Sequence, residues 1–301
     1  MSVTYLQKSS NSNSPNSGKY LVSCQNRIAS ENPTTAEWLD IIKQLKPTNF
    51  KDTNKVLLGV LEKRKNVVIK ISNSERLFHE YYIGEILQKY NIPGFIKYIC
   101  KFNCNDDYTL YPKKSAHICS GPGDEMKVIV MPYYSYGNFK LYKWTPDKYI
   151  TLKTAVLHII ASLLQAYDVA HIIHNDIHLQ NVLLAPTTKK TIIYTIDSHT
   201  IELPTYGVRT IIMDFENAFH IKGNYSQGWP IVWNDIKKVL VSLSLEIIDI
   251  PNMFQIIAEI EKMDKAPLTI LQAITKMFET LVIKEKVPPK LIYDPFNVHR
   301  A

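Results

Sequence analysis

The stretch His174-Asn175-Asp176-Ile177-His178-Leu179-Gln180-Asn181 decides how this chain is read. An Asp and an Asn stand five positions apart, directly after the apolar pair Ile172-Ile173 and directly before Val182-Leu183-Leu184. Either residue alone is an ordinary turn former. The pair at this spacing between two apolar runs is far more specific. Farther on, Ile211-Ile212-Met213-Asp214-Phe215-Glu216 puts a second acidic residue at the end of an apolar strand. Carboxylate and amide oxygens are the hard ligands that Mg²⁺ accepts.

Around these motifs, 301 residues with 46% hydrophobic content suffice for a sizeable core, in one bilobal unit or two small domains. The formal net charge of +7 favours anionic partners such as nucleic acid, chromatin, acidic lipid or a nucleotide. The charge is scattered (Lys63-Arg64-Lys65, Lys113-Lys114, Lys189-Lys190, Lys237-Lys238), so it predicts a solvated surface rather than a nucleic-acid groove. Cys24, Cys100, Cys104 and Cys119 form no disulfide framework for a chain this long. With no signal-like apolar segment near Met1, they predict free thiols in a reducing, intracellular compartment, cytoplasmic or nuclear. No apolar run is expected to span a bilayer.

Residues 1–30 are rich in Ser and Asn and predict a flexible tail. Thr34-Thr35-Ala36-Glu37 predicts a capped helix running to about Leu45. Val56–Leu61 and Val67–Ile71 predict an antiparallel hairpin across a charged turn. Ser74–Tyr90 carries Leu77, Tyr81, Ile83 and Leu87 at helical spacing. Further strands are expected near Phe95–Phe102 and Lys127–Met131, with a turn-rich insertion around Ser120–Asp124 between them. After Tyr134 the pattern turns helical, and Leu152–Ala170 is the best helix in the chain. Strands with one helix, followed by helices, predict an α+β fold with a small sheet lobe and a larger helical lobe, divided near residues 134–135.

Lys70 ends the apolar segment Val67-Val68-Ile69, where an ammonium can project into a cleft and neutralise phosphate oxygens; an ordinary strand-end Lys would face water. Such a Lys needs an acidic partner. Glu80 on the following helix is favoured over Glu85. His171, His174 and His178 have loop-like spacing that does not suit a zinc site. His174 is expected to buttress the loop through hydrogen bonds. His178 can donate to an anion, with a charge that depends on pH. Asp235 opens a helix, where a carboxylate is favoured.

With those residues in place, the chain resembles the eukaryotic-type protein kinase superfamily, and within it the haspin-like kinases and related kinases of large DNA viruses. The loop His174–Asn181 is similar to the H-x-D-L-H-x-x-N form of that branch. Tyr194-Thr195-Ile196-Asp197 and Ile201-Glu202-Leu203-Pro204-Thr205-Tyr206-Gly207 resemble its hairpin insertion, here at about 186–210, before the metal-binding Asp. The resemblance covers about residues 50–245. It implies a bilobal protein-kinase-like fold: an antiparallel-sheet N-lobe at 31–134 with one main helix, and a mainly helical C-lobe at 135–301. It implies ATP and Mg²⁺ as cofactors and a protein hydroxyl as acceptor. It assigns Lys70 to the α/β-phosphates, Glu80 to Lys70, Asp176 as catalytic base, and Asn181 and Asp214 to Mg²⁺. His178 stands where protein kinases usually carry a Lys that touches the transferred phosphate. Met131 would back the adenine pocket, with backbone groups from Pro132 through Tyr133 to Tyr134 binding the base. Asp235 would brace the loop backbone.

Three departures stand out. Asn49-Phe50-Lys51-Asp52-Thr53-Asn54-Lys55 occupies the place of a Gly-rich phosphate loop, and only Gly59 remains. Glu216 takes the third position of D-F-G. The stretch from Glu216 to Asp235 is short and has no A-P-E, which predicts activity without activation-loop phosphorylation. Two other functions stay open at this point: a scaffold with a degenerate nucleotide site, motivated by the eroded phosphate loop, and a small-molecule kinase, which His178 also suggests. The basic balance hints at an acidic or chromatin-like partner.

Overall fold

The strand predicted for Val67–Ile71 forms and alternates in burial along most of its length. In strand β3 (Lys65–Ser72), Val67, Ile69 and Ile71 are buried while Val68 and Lys70 between them are half-buried. β2 (Lys55–Leu61) pairs antiparallel with β3, placing Val56 opposite Lys70. β5 (Met126–Pro132) flanks the other side, with Ile129 opposite Lys70. With β1 (Leu39–Gln44) and β4 (Cys100–Cys104), these strands form a five-stranded antiparallel sheet in the order β1-β2-β3-β5-β4. The computed structural model describes residues 39–44, 55–61, 65–104, 126–221, 228–249, 253–262, 267–277 and 282–283. The 1–30 tail, most of the Gly-poor segment 49–55 and the insertion at 120–124 lie outside the described residues.

Helix α1 (Arg76–Lys89) buries Leu77, Glu80, Tyr81, Ile83, Gly84 and Leu87. These positions recur every three or four residues, so they fall on one stripe. Gly84 admits the Tyr98 ring, which a Cβ at that position would overlap. The chain then crosses to a second group of elements through Gly94, at φ +82, with Ile212 N–H donating to Gly94 C=O (2.7 Å) and Ile96 N–H to Ile212 C=O (2.9 Å).

Helix α2 (Tyr149–Ala170) is the central element of that group. Leu152, Val156, Ile159, Ile160 and Leu164 along it are fully buried. It ends at His171, whose left-handed backbone (φ 54) lets its N–H cap the last turn on Ala166 and Tyr167 carbonyls. The short strand β6 (Ile172–Ile173) follows directly and pairs with β11 (Phe219–His220). β7 (Val182–Pro186) pairs with β10 (Val208–Ile212), and β8 (Thr191–Ile196) with β9 (His199–Pro204). Asp197 and Ser198, both at positive φ, make the tight turn of that last hairpin. Helices α3 (Trp229–Glu246), α4 (Met253–Lys262) and α5 (Pro267–Met277) complete the structure with the small pair β12 (Ile248–Asp249) and β13 (Val282–Ile283). One contiguous apolar core runs from Leu77 and Tyr81 through α2 to Leu240 and Ile274.

The fold is thus α+β, as expected, and three local expectations are corrected. Residues Leu39–Gln44 are not the end of a helix but an edge strand bonded to β2. The capping signal at Thr34–Glu37 carries no information about that distant partner, and tertiary pairing overrides local propensity. The apolar run from Phe95 becomes a strand only at Cys100. Its first residues instead take an irregular path, with Phe95 bridging to Ile212. Finally, the helical segment Pro146–Ala170 is long and apolar enough to cross a membrane by length and composition, contrary to expectation, yet 78% of its most apolar 18-residue stretch is buried inside the protein. That burial is what a core helix needs.

Candidate functional site

Lys70 Nζ lies 2.7 Å from Glu80 Oε2, 2.8 Å from Asp214 Oδ1 and 2.7 Å from Glu216 Oε1. Two consecutive elements, β3 and α1, therefore meet the sequence-distant segment after β10 at one ammonium. Glu80 sits in the buried stripe of α1, where a charge is tolerated only with partners. It has two: Lys70 on Oε2, and the Tyr98 hydroxyl, which donates to Oε1 at 2.7 Å. Both oxygens accept, so Glu80 is a carboxylate. Glu85, the competing candidate, lies on the outer face of the helix, 4.0 Å from Lys101.

The titration behaviour follows from this packing. Burial pulls the Lys70 ammonium down, but Glu80 and then Asp214 outweigh it and hold Lys70 above the ordinary lysine range. Burial pushes the Glu80 carboxyl up, opposed by Lys70. Burial likewise raises the Tyr98 phenol, reinforced by Glu80, so Tyr98 remains a donor.

Asp214 has a left-handed backbone (φ 71), uncommon for a residue other than glycine. It is held there from both sides. Met213 N–H donates to Asn181 C=O (2.9 Å), and the His174 ring bonds Met213 C=O through Nε2 (3.0 Å). Phe215 next to it is buried against Phe95, Tyr98 and His174. The loop His174–Asn181 is thereby tied to the strand end that carries Asp214. As the carbonyl at Met213 only accepts, His174 Nε2 carries the proton, and burial keeps the ring's pKa low.

Within the loop, Asn181 is buried and its Nδ2 donates to Asp176 C=O (3.1 Å), which orients the side-chain oxygen of Asn181 away from that bond. Asp176 is half-buried, and its Oδ2 accepts from Asn217 Nδ2 (3.0 Å). Asn175, at φ 63, donates its N–H to Asp235 Oδ2 (2.7 Å). Asp235 thus braces the loop, but from the second turn of α3, which starts at Trp229 and not, as expected, at Asp235. Burial pushes its carboxyl up to about 6, against the pull of the Asn175 N–H and Lys238. His178 is half-buried, in extended backbone just before the single turn Leu179–Asn181.

Lys70, Glu80 and Asp214 are therefore brought together directly; Asn181 is bonded through its backbone to Met213, the neighbour of Asp214, and Asp176 is tied to Asn181 through the Asn181 side chain. Met131 is buried on β5, opposite Val68. Tyr133 N–H donates to Asn66 C=O (3.2 Å). The half-buried Tyr134 ring lies 5.8 Å from the Arg209 guanidinium, turned toward β10. Among the described residues the three histidines of the 171–178 region do not gather as ligands; the group of acidic ligand atoms within 4.8 Å of one another is Glu80, Asp214 and Glu216. Cys100 is buried in β4. Sequence reasoning missed Tyr98 and Asn217, whose partners lie 18 and 41 residues away. The one local signal was Glu80 itself, an acid on an apolar stripe that requires a donor.

The fold and site define an α+β protein with a lysine–carboxylate centre joined to an Asp/Asn loop. No protein-family model matches the chain. An uncharacterised protein of Caenorhabditis elegans is 32% identical over 87 residues, 29% of this chain and 29% of that protein. The serine/threonine-protein kinase haspin of Mus musculus is 38% identical over 65 residues, 22% of this chain and 9% of haspin. The chain therefore matches well under two thirds of either relative's length. The second match gives a partial, kinase-like relationship.

Proposed function

We propose that this chain is an ATP-dependent Ser/Thr protein kinase of the haspin-like branch with a bilobal kinase fold, transferring the γ-phosphate to a protein hydroxyl. One observation carries the reading: Lys70 contacts Glu80 and Asp214 together, while Asp214 is fastened to the loop that bears Asp176 and Asn181. The donor set suits a metal-bound nucleotide. Lys70 is an ammonium that can pair with phosphate in exchange for one of its carboxylate contacts, and the Asp214 carboxylate and the Asn181 side-chain oxygen are hard oxygen ligands for Mg²⁺. Bound Mg²⁺–ATP would supply the transferable phosphoryl group and neutralise its charge. Lys70 would hold phosphate oxygens, with Glu80 and Tyr98 fixing its position. Asp176, steadied by Asn217, would orient the acceptor hydroxyl and take its proton. His178 would donate to a phosphate oxygen. Met131 and the backbone from Pro132 to Tyr134 would border the base. We place the protein inside the cell, acting on a protein substrate, with an acidic or chromatin-like partner favoured by its basic balance.

Radiolabelled phosphate transfer to protein substrates tests the reading. Transfer by the wild type, reduced by about 10²-fold or more in Asp176→Asn, is expected. A second reading, a binding scaffold with a spent nucleotide site, is favoured by the Glu216–Lys70 ion pair and by the missing glycines. Transfer absent under every divalent metal would select it.

A further inference from the structure

An ammonium has three protons to donate. Those of Lys70 face three carboxylates, each within 2.8 Å. The three contacts differ in how readily they can be given up. Glu80 is 2% exposed and anchored by Tyr98. Asp214 is fixed through its left-handed backbone and the bonds to Met213 on its N-terminal side. Glu216 and Asp214 are similarly exposed at the side chain (34% and 36%), so exposure alone does not separate them; Glu216 is the one set apart from the backbone bonds at Met213, and it can leave Lys70 for water without stranding a charge. Its position is also the one where a glycine would leave the third ammonium proton to a ligand.

From this geometry we infer that Glu216 is an internal anion which occupies the phosphate-binding proton of Lys70, and that it makes nucleotide binding by this chain depend on a divalent cation. The inference rests on the nucleotide-site reading above. Three carboxylates against one ammonium leave the centre with a formal charge of −2. A polyphosphate arriving alone must displace Glu216 and also meet that excess of like charge. A divalent cation arriving with it cancels the excess, and Glu216 then exchanges for a phosphate oxygen at little cost. Without the Glu216 charge the same centre has a formal charge of −1, and the third Lys70 proton meets at most a neutral acceptor, which a phosphate oxygen displaces more readily. Glu216 is in this sense a specificity-determining residue: it rejects bare polyanions and admits cation-bound ones.

The test measures ATP binding to the full chain by calorimetry, with excess Mg²⁺ and with EDTA, for wild type, Glu216→Gln, Lys70→Ala and the double variant. The expected result is that Glu216→Gln binds ATP in EDTA about tenfold more tightly than wild type, equivalent to about 1.4 kcal/mol. The change in Mg²⁺ should be under about threefold, and the gain in EDTA should vanish in the Lys70→Ala background. Wild type binding ATP with Mg²⁺ while Glu216→Gln shows no gain in EDTA overturns this inference and leaves the kinase reading standing. A gain that persists without Lys70 also overturns it, because the effect would then be general charge and not competition for Lys70. ATP binding by none of the proteins under either condition overturns the nucleotide-site reading itself, and this inference with it. Thermal melting of Glu216→Gln should match wild type, since the side chain is partly exposed.

Discussion

His158 makes the attachment of the β8–β9 hairpin to the core sensitive to acid. It lies on α2 with no exposed surface. Its Nε2 contacts Pro204 C=O at 2.9 Å and its Nδ1 the Tyr194 hydroxyl at 2.8 Å. A carbonyl only accepts, so Nε2 holds the proton and Nδ1 accepts from Tyr194. Protonating Nδ1 would bury a charge inside the core and force the Tyr194 hydroxyl to turn from donor to acceptor. Burial lowers the pKa to about 4, partly opposed by the Pro204 carbonyl. In the unfolded chain the ring titrates near about 6.5. The folded value is the depressed one, so the unfolded state binds more protons between the two values. The stabilisation is complete above about pH 6.5 and is lost as pH falls towards about 4. Linkage puts the loss between about pH 7.5 and about pH 5 at about 2 kcal/mol. Urea melts of wild type and His158→Gln at those two pH values check this. Gln can donate to Pro204 and accept from Tyr194, but it does not titrate. The stability advantage of wild type over the variant should shrink by about 2 kcal/mol on acidification. Asp235 and His174 are present in both proteins and cancel in the difference. A gap that stays constant within about 0.5 kcal/mol would refute the neutral buried ring.

Further outcomes follow from the same structure. Tyr98→Phe removes the donor to Glu80 Oε1; it should lower the rate of phosphate transfer by about tenfold and destabilise the fold by about 1–3 kcal/mol, read by steady-state kinetics and thermal melting. Gly94→Ala combines a left-handed backbone with an overlap on Ser162 Oγ and should cost more than about 2 kcal/mol in urea melts. Asp235 titrates in the opposite sense to His158. Its folded pKa of about 6 is raised above the ordinary carboxyl value, so ionising it costs stability as pH rises through about 6. Asp235→Asn should remove that decline from the stability–pH curve while weakening the brace on Asn175. Phosphomapping of active protein should find activity independent of any phosphate between Asn217 and Trp233.

The legible parts of this chain were those written within a few residues. The β2–β3 hairpin follows from two apolar runs and a charged turn, and α1 from its spacing of Leu77, Tyr81, Ile83 and Leu87. Asp176 and Asn181 stand on one short loop, so their spacing alone marks them. The Leu39–Gln44 strand was not legible, because hydrogen bonds to β2 decide it and no residue near Leu39 encodes them. Phe95–Ile99 failed for the same reason: its apolar residues suit a strand, but its backbone partners are split between Ile212, for Phe95 and Ile96, and Val130, for Ile99. The contacts of Tyr98 and Asn217 exist only once α1 and the Asp214 segment have been folded together.

The two bonds between the Gly94–Ile96 segment and Ile212 carry a mechanical consequence. They rivet the chain leaving α1 to a point two residues ahead of Asp214. Glu80 and Asp214, the two anchored arms of the lysine centre, therefore share one short backbone path. Strain at the C-terminal end of α1 is therefore carried through these bonds towards Asp214 as well as back along the helix to Glu80.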